Sequence, residues 1–213
     1  MFSYYILFVS SYSLLSLFFF LIDVFSYKFK TLGDLKIDKI KFEEMLDIYI
    51  KIFPNVAVNL FIYSIPISLL LDIYYVNYND LEFITVVLDI YLTYILSQIA
   101  FYWFHRLFHL AQIYKYHKKH HEIKIPVGMA AIYTHWLDFY GNIISIGITP
   151  VLIGMNPLIL YIWIFFSIFN TILANSNIKY ISQHDIHHKY FKYNYGAYWL
   201  DKLYHTLKIE HQD

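Results

Sequence analysis

The chain has 213 residues, of which 59% are hydrophobic and only 15% charged, and its acidic and basic residues balance at 16 each. A soluble domain carries about 25% charged residues, so this composition predicts a membrane protein. The absence of cysteine excludes disulfide bonds and thiolate metal ligands. Zero net charge gives no reason to expect nucleic acid as a partner.

The first apolar block covers residues 2–25 and is long enough to cross a bilayer, which needs about 20 residues. No basic region precedes it and no small-residue cleavage site follows it, which argues against a removed signal peptide. Residues 26–51 mix charged and apolar side chains and predict an interfacial or solvent-side helix. A first block lying in the interface would leave only two full spans before the histidine-rich region, and this alternative stays open.

Two further apolar blocks follow in the first half of the chain. The second covers residues 52–76 and contains two prolines, and the third covers residues 81–104 after the polar turn 77–80. Both are long enough to span a bilayer. The third block leads directly into His105, so it should deliver that imidazole to the membrane boundary.

A long uncharged stretch lies in the second half, where residues 139–174 contain no Lys, Arg, Asp or Glu and are interrupted by Gly154-Met155-Asn156-Pro157. This pattern predicts a helical hairpin that enters and leaves the membrane on one side. With three spans before the hairpin, all 16 Lys and Arg residues fall on one face, in residues 28–51, 106–124 and 179–208. The positive-inside rule makes that face cytosolic and places the N-terminus on the other side.

Histidines form the most specific pattern of the sequence. Nine of the 11 histidines occupy four places: His105 and His109 in H-R-L-F-H, His117, His120 and His121 in H-K-K-H-H, His135 alone, and His184, His187 and His188 in H-D-I-H-H. Residues three and four apart share one face of a helix, so each cluster should project its imidazoles together. Eight clustered imidazoles exceed the four ligands of a tetrahedral site, which leaves two metals, or one metal with idle histidines.

The residue types leave the identity of the metal open, because imidazole suits zinc, copper, iron and nickel alike. A two-metal centre beside a membrane suits oxygen activation on an apolar substrate better than a structural zinc site would. The two remaining histidines, His205 and His211, are expected to be surface or packing residues.

Over about the last half of the chain, from the third apolar block onward, the sequence resembles the membrane fatty acid hydroxylase/sterol desaturase superfamily. The resemblance rests on the order and spacing of H-R-L-F-H, Y-K-Y-H-K-K-H-H-E, P-V-G-M-A-A-I-Y-T-H, H-D-I-H-H, N-Y-G and W-L-D-K-L. It implies an all-α fold, a multi-span transmembrane helical bundle of about three spans plus a helical hairpin, with a cytosolic histidine-rich di-metal cap. It also implies a division into N-terminal transmembrane helices, residues 1–82, and a catalytic domain, residues 83–213.

The resemblance further implies the chemistry. Members are integral membrane proteins, typically of the endoplasmic reticulum, that use O2 to hydroxylate, oxidise or desaturate lipids. Their electrons come from NAD(P)H through cytochrome b5 or a reductase. Carried over to this chain, the catalytic residues and the ligands of two iron ions are His105, His109, His117, His120, His121, His184, His187 and His188. His135 is then either a further metal ligand or a hydrogen-bond donor to one of the ligands.

Motifs that indicate the substrate point in three directions. The segment from Ile125 to His135 is similar to sterol C4-methyl oxidases, and the segment from His187 to Gly196 is similar to sterol C5-desaturases. Gly154-Met155-Asn156-Pro157 together with H-D-I-H-H is similar to sphingoid-base C4-hydroxylases. A sterol is the leading expectation, and a sphingoid-base or fatty-acid hydroxylase is the alternative.

Three departures from the pattern of the superfamily bear on activity. Asn175-Ser176-Asn177 stands where relatives carry another histidine, His135-Trp136-Leu137-Asp138 replaces His-Pro-Leu-Glu, and residues 201–206 replace Asp-Arg-Leu-Phe-Gly-Thr. They leave a catalytically inactive relative or a metal-binding membrane protein as a second alternative.

Several residues near the histidines are candidates for supporting roles. Asp138, Asp185 and Asp201 could orient imidazoles by accepting the second ring N–H, with helix capping or solvent exposure as the alternative. Asn194 and Gly196 predict a turn.

Four aromatic residues near the membrane boundary are expected to anchor the protein at the interface, or else to line the entry path of a lipid: Phe101, Trp103, Phe104 and Trp136. Two other classes of membrane protein compete with the hydroxylase interpretation. A fatty-acyl desaturase usually has a longer first histidine spacing. A metal transporter would place its ligands within the spans, whereas these histidines cluster outside them.

Overall fold

The structure is a computed structural model that describes residues 3–74, 83–179 and 183–209, and over these residues it is helical without a β-strand. Its helices are α1 (Ser3–Lys28), α2 (Phe42–Tyr74), α3 (Phe83–Phe108), α4 (Tyr114–His117), α5 (Trp136–Leu152), α6 (Pro157–Ala174), α7 (His184–Tyr190) and α8 (Tyr198–Leu203). The predicted polar turn 77–80 and His211 lie outside the described residues.

Four of these helices, α1, α2, α3 and α6, are long and apolar enough to cross a membrane. Helix α5 has 17 residues and forms a hairpin with α6. These helices confirm the predicted multi-span helical bundle.

The hairpin turn lies at the predicted position. Gly154 has a φ of 66°, a left-handed conformation that glycine adopts without a steric penalty. The side-chain oxygen of Asn156 accepts a hydrogen bond from the backbone N–H of Leu158 at 2.9 Å, and Pro157 occupies the first position of α6. A capping asparagine followed by proline is a strong start signal for a helix, so the sequence itself fixes where α6 begins.

The prediction of a separate interfacial helix over residues 26–51 is wrong. Helix α1 continues to Lys28, and α2 begins at Phe42 and runs without interruption through the expected boundary to Tyr74. Its buried residues recur every three or four positions, so one apolar stripe crosses that boundary: Met45, Tyr49, Ile52 and Val56. The two prolines of α2 are accommodated around a π-helical turn, Asn59–Tyr63, rather than ending the helix.

A buried ion pair joins the connection between α1 and α2 to the end of α6. Lys36 and Asp23 pair with side chains that are nearly inaccessible, and the Tyr49 hydroxyl donates to Asp23 at 2.7 Å. The Lys36 ammonium also donates to the carbonyl of Ser176 at 2.7 Å. This network positions the segment that leads from α6 towards α7.

Close packing between α3 and α5 depends on a glycine. A Cβ atom at Gly141 would lie 2.6 Å from Cε2 of Phe108, which is closer than carbon atoms approach in real structures. Because this glycine has no side chain, α5 approaches the end of α3 closely. The first turn of α5 therefore lies next to the histidines that follow from α3.

Candidate metal centre

Three segments of the chain bring the predicted histidines to one end of the bundle. His105 lies in the last turn of α3, and His109 follows directly after it. The second cluster lies on α4 and on the following 3₁₀ turn, His120–Glu122, while the third lies on α7. The segments that carry the second and third clusters are short, so they depend on the spans beneath them for their position.

The eight histidines form two groups, each with ligand atoms within 4.8 Å of one another. The five-histidine group contains His105, His109, His117, His121 and His187, and the three-histidine group contains His120, His184 and His188. Each H-x-x-H-H motif contributes histidines to both groups. The structure thus brings together all eight residues that the sequence singled out.

Within the groups, the Nε2 atoms are separated by distances typical of neighbouring ligands around one ion. The Nε2 atoms of His109 and His187 are 3.0 Å apart, and those of His105 and His117 are 3.2 Å apart. In the three-histidine group, His120 Nε2 lies 3.1 Å from His188 and 3.3 Å from His184. With a metal–nitrogen bond of about 2.1 Å, adjacent ligands are about 3.0 Å apart in an octahedron and about 3.4 Å apart in a tetrahedron.

Hydrogen bonds on the outer ring nitrogens fix the tautomers of four histidines. The Nδ1 atoms of His105 and His187 each lie 2.6 Å from a backbone carbonyl, of Tyr195 and Tyr193 respectively. A carbonyl can only accept, so Nδ1 carries the proton and Nε2 presents a bare lone pair to its group. His188 Nδ1 donates in the same way to the carbonyl of Ile123 at 3.1 Å.

The fourth fixed histidine is His117, whose Nδ1 donates to Oδ2 of Asp138 at 2.8 Å. This contact confirms the expectation that Asp138 orients an imidazole. Because His105 is also a Nδ1–H tautomer, the Nε2 lone pairs of His105 and His117 face each other at 3.2 Å. Two lone pairs at that distance repel unless a cation lies between them, so the donor set fits a bound metal ion.

Burial favours the uncharged form of six histidines of the two groups. Desolvation, followed by the charges of His117 and His188, lowers the pKa of His109 to about 3. Desolvation and the charge of His117 likewise lower the pKa of His188 to about 3. Burial also lowers the pKa of four further members: His120, His121, His184 and His187. Neutral imidazole is the form that binds metals.

The other two aspartates do not orient imidazoles directly. The carboxyl oxygens of Asp185 form no hydrogen bond with an imidazole of the described chain. Asp201 accepts from the backbone N–H of Tyr195 at 2.9 Å and of Gly196 at 3.0 Å. Asp201 therefore holds the loop whose Tyr195 carbonyl receives His105, and it acts on that imidazole through the backbone.

The turn predicted at Asn194 and Gly196 is present in this loop. Asn194 has a φ of 57°, and its side chain bridges to the backbone of Lys208 at 2.7 Å and 2.9 Å. A Cβ at Gly196 would lie 3.3 Å from the Cβ of Tyr102, so glycine permits the close approach. These residues shape the loop.

His135 belongs to neither group of imidazoles in the described chain. Its Nδ1 accepts a hydrogen bond from the backbone N–H of Leu137 at 3.2 Å, so it caps the start of α5. Its ring lies between those of Tyr116 and Trp136, at centroid distances of 5.0 Å and 5.5 Å. His205 is exposed and likewise lies outside both groups.

A cavity of about 600 Å³ leads from the histidines into the bundle. This volume falls in the range of small-molecule sites, about 300–1,000 Å³. Its walls are mostly apolar and come from α1, α2, α3, α5 and α6, and His105, His117, His120 and His184 lie on its surface. Of the four aromatic residues considered for a lipid path, Phe101 lines this cavity.

Sequence reasoning missed two features of the centre. The carbonyls of Tyr193, Tyr195 and Ile123, which fix three tautomers, carry no signal in the sequence because every residue has a carbonyl. Asn175 is buried and lines the cavity, and its Oδ1 atom has no hydrogen-bond partner among the described residues. For Asn175, the sequence did contain a signal, because an asparagine stands where relatives carry a histidine.

Apolar spans with two groups of imidazoles at the end of an apolar cavity define a helical membrane protein with a histidine-rich centre. The chain belongs to the fatty acid hydroxylase family, whose model matches residues 90–206, just over half of the chain. All eight grouped histidines lie within the matched residues.

Curated relatives carry the names of oxygen-using oxidoreductases. Fatty acid hydroxylase ahd1 of Mycosarcoma maydis is 31% identical over 126 residues, which cover 54% of this chain and 32% of that protein. Methylsterol monooxygenase 1 of Rattus norvegicus is 35% identical, over 49% of this chain and 41% of its own length. Delta(7)-sterol 5(6)-desaturase ERG3B of Gibberella zeae is 28% identical, over 61% and 45%.

The chain thus spans about a third to a half of the length of these relatives. No solved structure gives a significant match to the chain.

Proposed function

We propose that this protein is a membrane-bound di-iron oxidoreductase that uses O2 to hydroxylate, oxidise or desaturate a lipid, with a sterol as the first candidate substrate. The observation that carries the proposal is the convergence of eight imidazoles, six of them buried, at the end of an apolar cavity. Four of their Nε2 lone pairs are fixed by hydrogen bonds on the other side of the ring. The names of two relatives, a methylsterol monooxygenase and a sterol desaturase, favour a sterol.

Two iron ions bound in the five-histidine and three-histidine groups would supply the activation of O2. The residues of the chain orient the imidazoles and position the substrate. Asp138 and the three carbonyls hold the imidazoles in register before a metal arrives, so little conformational entropy is lost on binding. The apolar walls exclude water from the site and place a C–H bond of the lipid near the imidazole groups.

Lateral entry of the substrate from the bilayer fits the shape of the cavity. Leu70 of α2 and Ile144 and Ile148 of α5 line the cavity and are exposed. An apolar lipid could therefore enter between α2 and α5 without crossing water. In this proposal residues 83–213 carry the metal centre, and residues 1–82 contribute part of the cavity wall.

The orientation and the electron supply are part of the same proposal. The distribution of Lys and Arg supports a cytosolic location of the histidines, and the sterol-acting relatives support the endoplasmic reticulum. Electrons would then come from NAD(P)H through a cytochrome b5-type donor or a reductase on the cytosolic side.

Metal analysis of the purified protein in detergent tests the proposal directly. We expect about two iron ions per chain, one for each histidine group. His120→Ala should remove the ion of the three-histidine group, while the matched control His205→Asn should leave the iron content unchanged. A chain that binds no iron after expression in iron-rich medium would contradict the proposal and favour an inactive relative.

Lipid profiling of an expression host that contains NAD(P)H and a cytochrome b5 system tests the activity. Wild-type protein should produce an oxidised or desaturated lipid, and His120→Ala should abolish that product while His205→Asn retains it. An unchanged lipid profile with iron-loaded wild-type protein would exclude the oxidase function for the lipids of that host.

A further inference from the structure

Gly147 is a glycine in the interior of α5 that the packing of the chain does not require. A Cβ atom at this position meets no atom of the described chain within 4 Å, whereas a Cβ at Gly141 on the same helix would collide with Phe108. Glycine in a helix interior is less stable than alanine, because it loses more conformational freedom on folding. Close packing therefore explains the glycine at position 141 and leaves the one at position 147 unexplained.

The free space beside Gly147 belongs to the cavity that ends at the histidines. Gly147 lines this cavity, and so do Ile143 and Val151. Residues four apart share one face of a helix, so the missing side chain lies in the middle of a stripe that faces the cavity. The buried residues Ser145 and Thr149 lie on another face of α5 and do not line the cavity of the described chain.

The cavity extends along most of the length of α5. Its lining residues on this helix run from Phe139, near the histidines, to Val151 in the last turn. This separation corresponds to about 18 Å along the helix axis, and Gly147 lies about 12 Å from Phe139 on the same scale. At the far end Val151 packs against a buried cluster that closes the cavity, formed by Tyr4, Met155, Ile159 and Leu160. An occupant whose reacting end lies at the histidines therefore reaches Gly147 with its distal part.

The cavity is wider than a single hydrocarbon chain. Its volume of about 600 Å³, divided by a length of about 18 Å, gives a mean cross-section of about 33 Å². Carbon atoms in contact lie about 4 Å apart, so one extended chain needs a cross-section of about 16 Å². Fused rings and branched tails place two chains of carbon atoms side by side. The dimensions thus fit a fused-ring lipid with a branched tail better than a single acyl chain.

We propose that Gly147 is a specificity-determining residue that makes room for the branched hydrocarbon tail of a fused-ring lipid, such as a sterol, whose reacting end lies at the histidines. This inference rests on the proposed function, and it adds how the substrate lies in the cavity. Four fused rings with C–C bonds of about 1.5 Å extend about 9 Å, so the rings end before the level of Gly147. The tail then lies beside this residue, and a larger side chain at position 147 acts on the tail alone.

Equilibrium binding to iron-loaded protein in detergent tests the proposal with three probes. The probe 5α-cholestan-3β-ol has fused rings and a branched tail, 5α-androstan-3β-ol has the rings without the tail, and 1-octadecanol is a single unbranched chain. Gly147→Leu places a side chain in the free space and should weaken the binding of 5α-cholestan-3β-ol about 10- to 100-fold. The affinities for the other two probes should change less than about threefold, because one ends before position 147 and the other passes beside the leucine.

Two further variants keep the test independent of the folding of Gly147→Leu. Gly147→Ala adds a single carbon atom and should weaken the binding of 5α-cholestan-3β-ol about two- to fivefold. Leu152→Phe is the matched control, because Leu152 is 76% exposed on the same helix and does not line the cavity of the described chain. It should leave all three affinities unchanged. Neither substitution of Gly147 should lower the unfolding temperature or the iron content, because a Cβ atom at this position has free space.

Four results would overturn the inference. Unchanged affinity of Gly147→Leu for 5α-cholestan-3β-ol would show that the space beside Gly147 belongs to the surrounding bilayer. An equal loss for all three probes would show that the position controls access to the cavity and selects no shape. A lower unfolding temperature of Gly147→Ala would show that packing requires the glycine. Wild-type protein that binds 1-octadecanol but not 5α-cholestan-3β-ol would reject the fused-ring lipid.

The iron content of the same samples separates this inference from the proposed function. Wild-type protein without iron would reject the di-iron oxidoreductase. The three probe affinities would still be measurable on that protein, and their response to the substitutions of Gly147 would still decide its role.

Discussion

Replacement of Asp138 by asparagine tests whether the tautomer of one imidazole controls the five-histidine group. Asp138 Oδ2 receives the His117 Nδ1–H at 2.8 Å, and its Oδ1 accepts from Asn142 Nδ2 at 3.0 Å. In Asp138→Asn, Asn142 Nδ2 still donates a hydrogen bond and therefore needs the side-chain oxygen of the new asparagine as its acceptor. The NH2 group of the new asparagine then faces His117 Nδ1. Two N–H donors cannot share that contact, and His117 must move its proton to Nε2.

That proton would point into the five-histidine group, where His117 Nε2 lies 3.2 Å from His105 Nε2. The group then loses one lone pair while its shape is nearly unchanged. Substitutions of such hydrogen-bond partners typically reduce metal affinity about 10- to 100-fold, which corresponds to about 1.4–2.7 kcal/mol.

Titration of iron-loaded protein with a competing chelator measures this affinity. Glu122→Gln is the matched control, because it makes the same change of charge next to His121 while its carboxyl contacts Tyr133 and Lys51. We expect one of the two ions of Asp138→Asn to be removed at a chelator concentration about 10- to 100-fold lower than in wild type. Equal retention of both ions in Asp138→Asn and wild type would refute the tautomer argument.

The remaining predictions concern packing, the buried ion pair and pH. Gly141→Ala should destabilise the protein by about 1–3 kcal/mol, because the new Cβ would lie 2.6 Å from an aromatic carbon of α3. Gly147→Ala meets no atom within 4 Å and should be neutral or slightly stabilising; thermal unfolding in detergent compares the two. Lys36→Met leaves Asp23 buried without its cation and should lower the free energy of unfolding by about 3–5 kcal/mol in the same assay, and a loss below about 1 kcal/mol would contradict this. Because the folded pKa of His188 is about 3 and the unfolded value is 6.5, stability of the metal-free protein is fully present above pH 6.5 and falls as the pH drops towards 3. Each such histidine contributes a slope of about 1.4 kcal/mol per pH unit, which unfolding temperatures measured from about pH 7 to about pH 4 would reveal.

Which eight histidines converge could be predicted from the sequence. Spacings of three and four residues place imidazoles on one helical face, and this local rule survives folding because α7 is helical at His184, His187 and His188. The partition of each motif between the groups could not be predicted. It depends on how α7 faces the turn at His120–Glu122, which is a tertiary contact.

The course of α2 shows why the charged residues led to a wrong helix boundary at residue 51. Glu43, Glu44 and Lys51 suggested a solvent-side segment that ends before the apolar block. The buried side of the helix is set by Met45 and Ile52, both fully buried, so charges on the opposite face do not end it. A helix that leaves the membrane and remains packed on its neighbours retains one apolar stripe along its whole length.

The cavity joins the two parts that the sequence pattern separates. The division into residues 1–82 and 83–213 stays a prediction, but side chains from both parts line the same cavity, among them Tyr12 and Leu71 from the first and Phe139 and Ile168 from the second. The Lys36 ammonium also binds the Ser176 carbonyl, next to Asn175. The histidines can therefore be recognised from the second part alone, whereas the shape offered to a lipid depends on the first part as well. In a family whose members share the histidine pattern, selection among lipids should then vary with the N-terminal helices, not with the metal ligands.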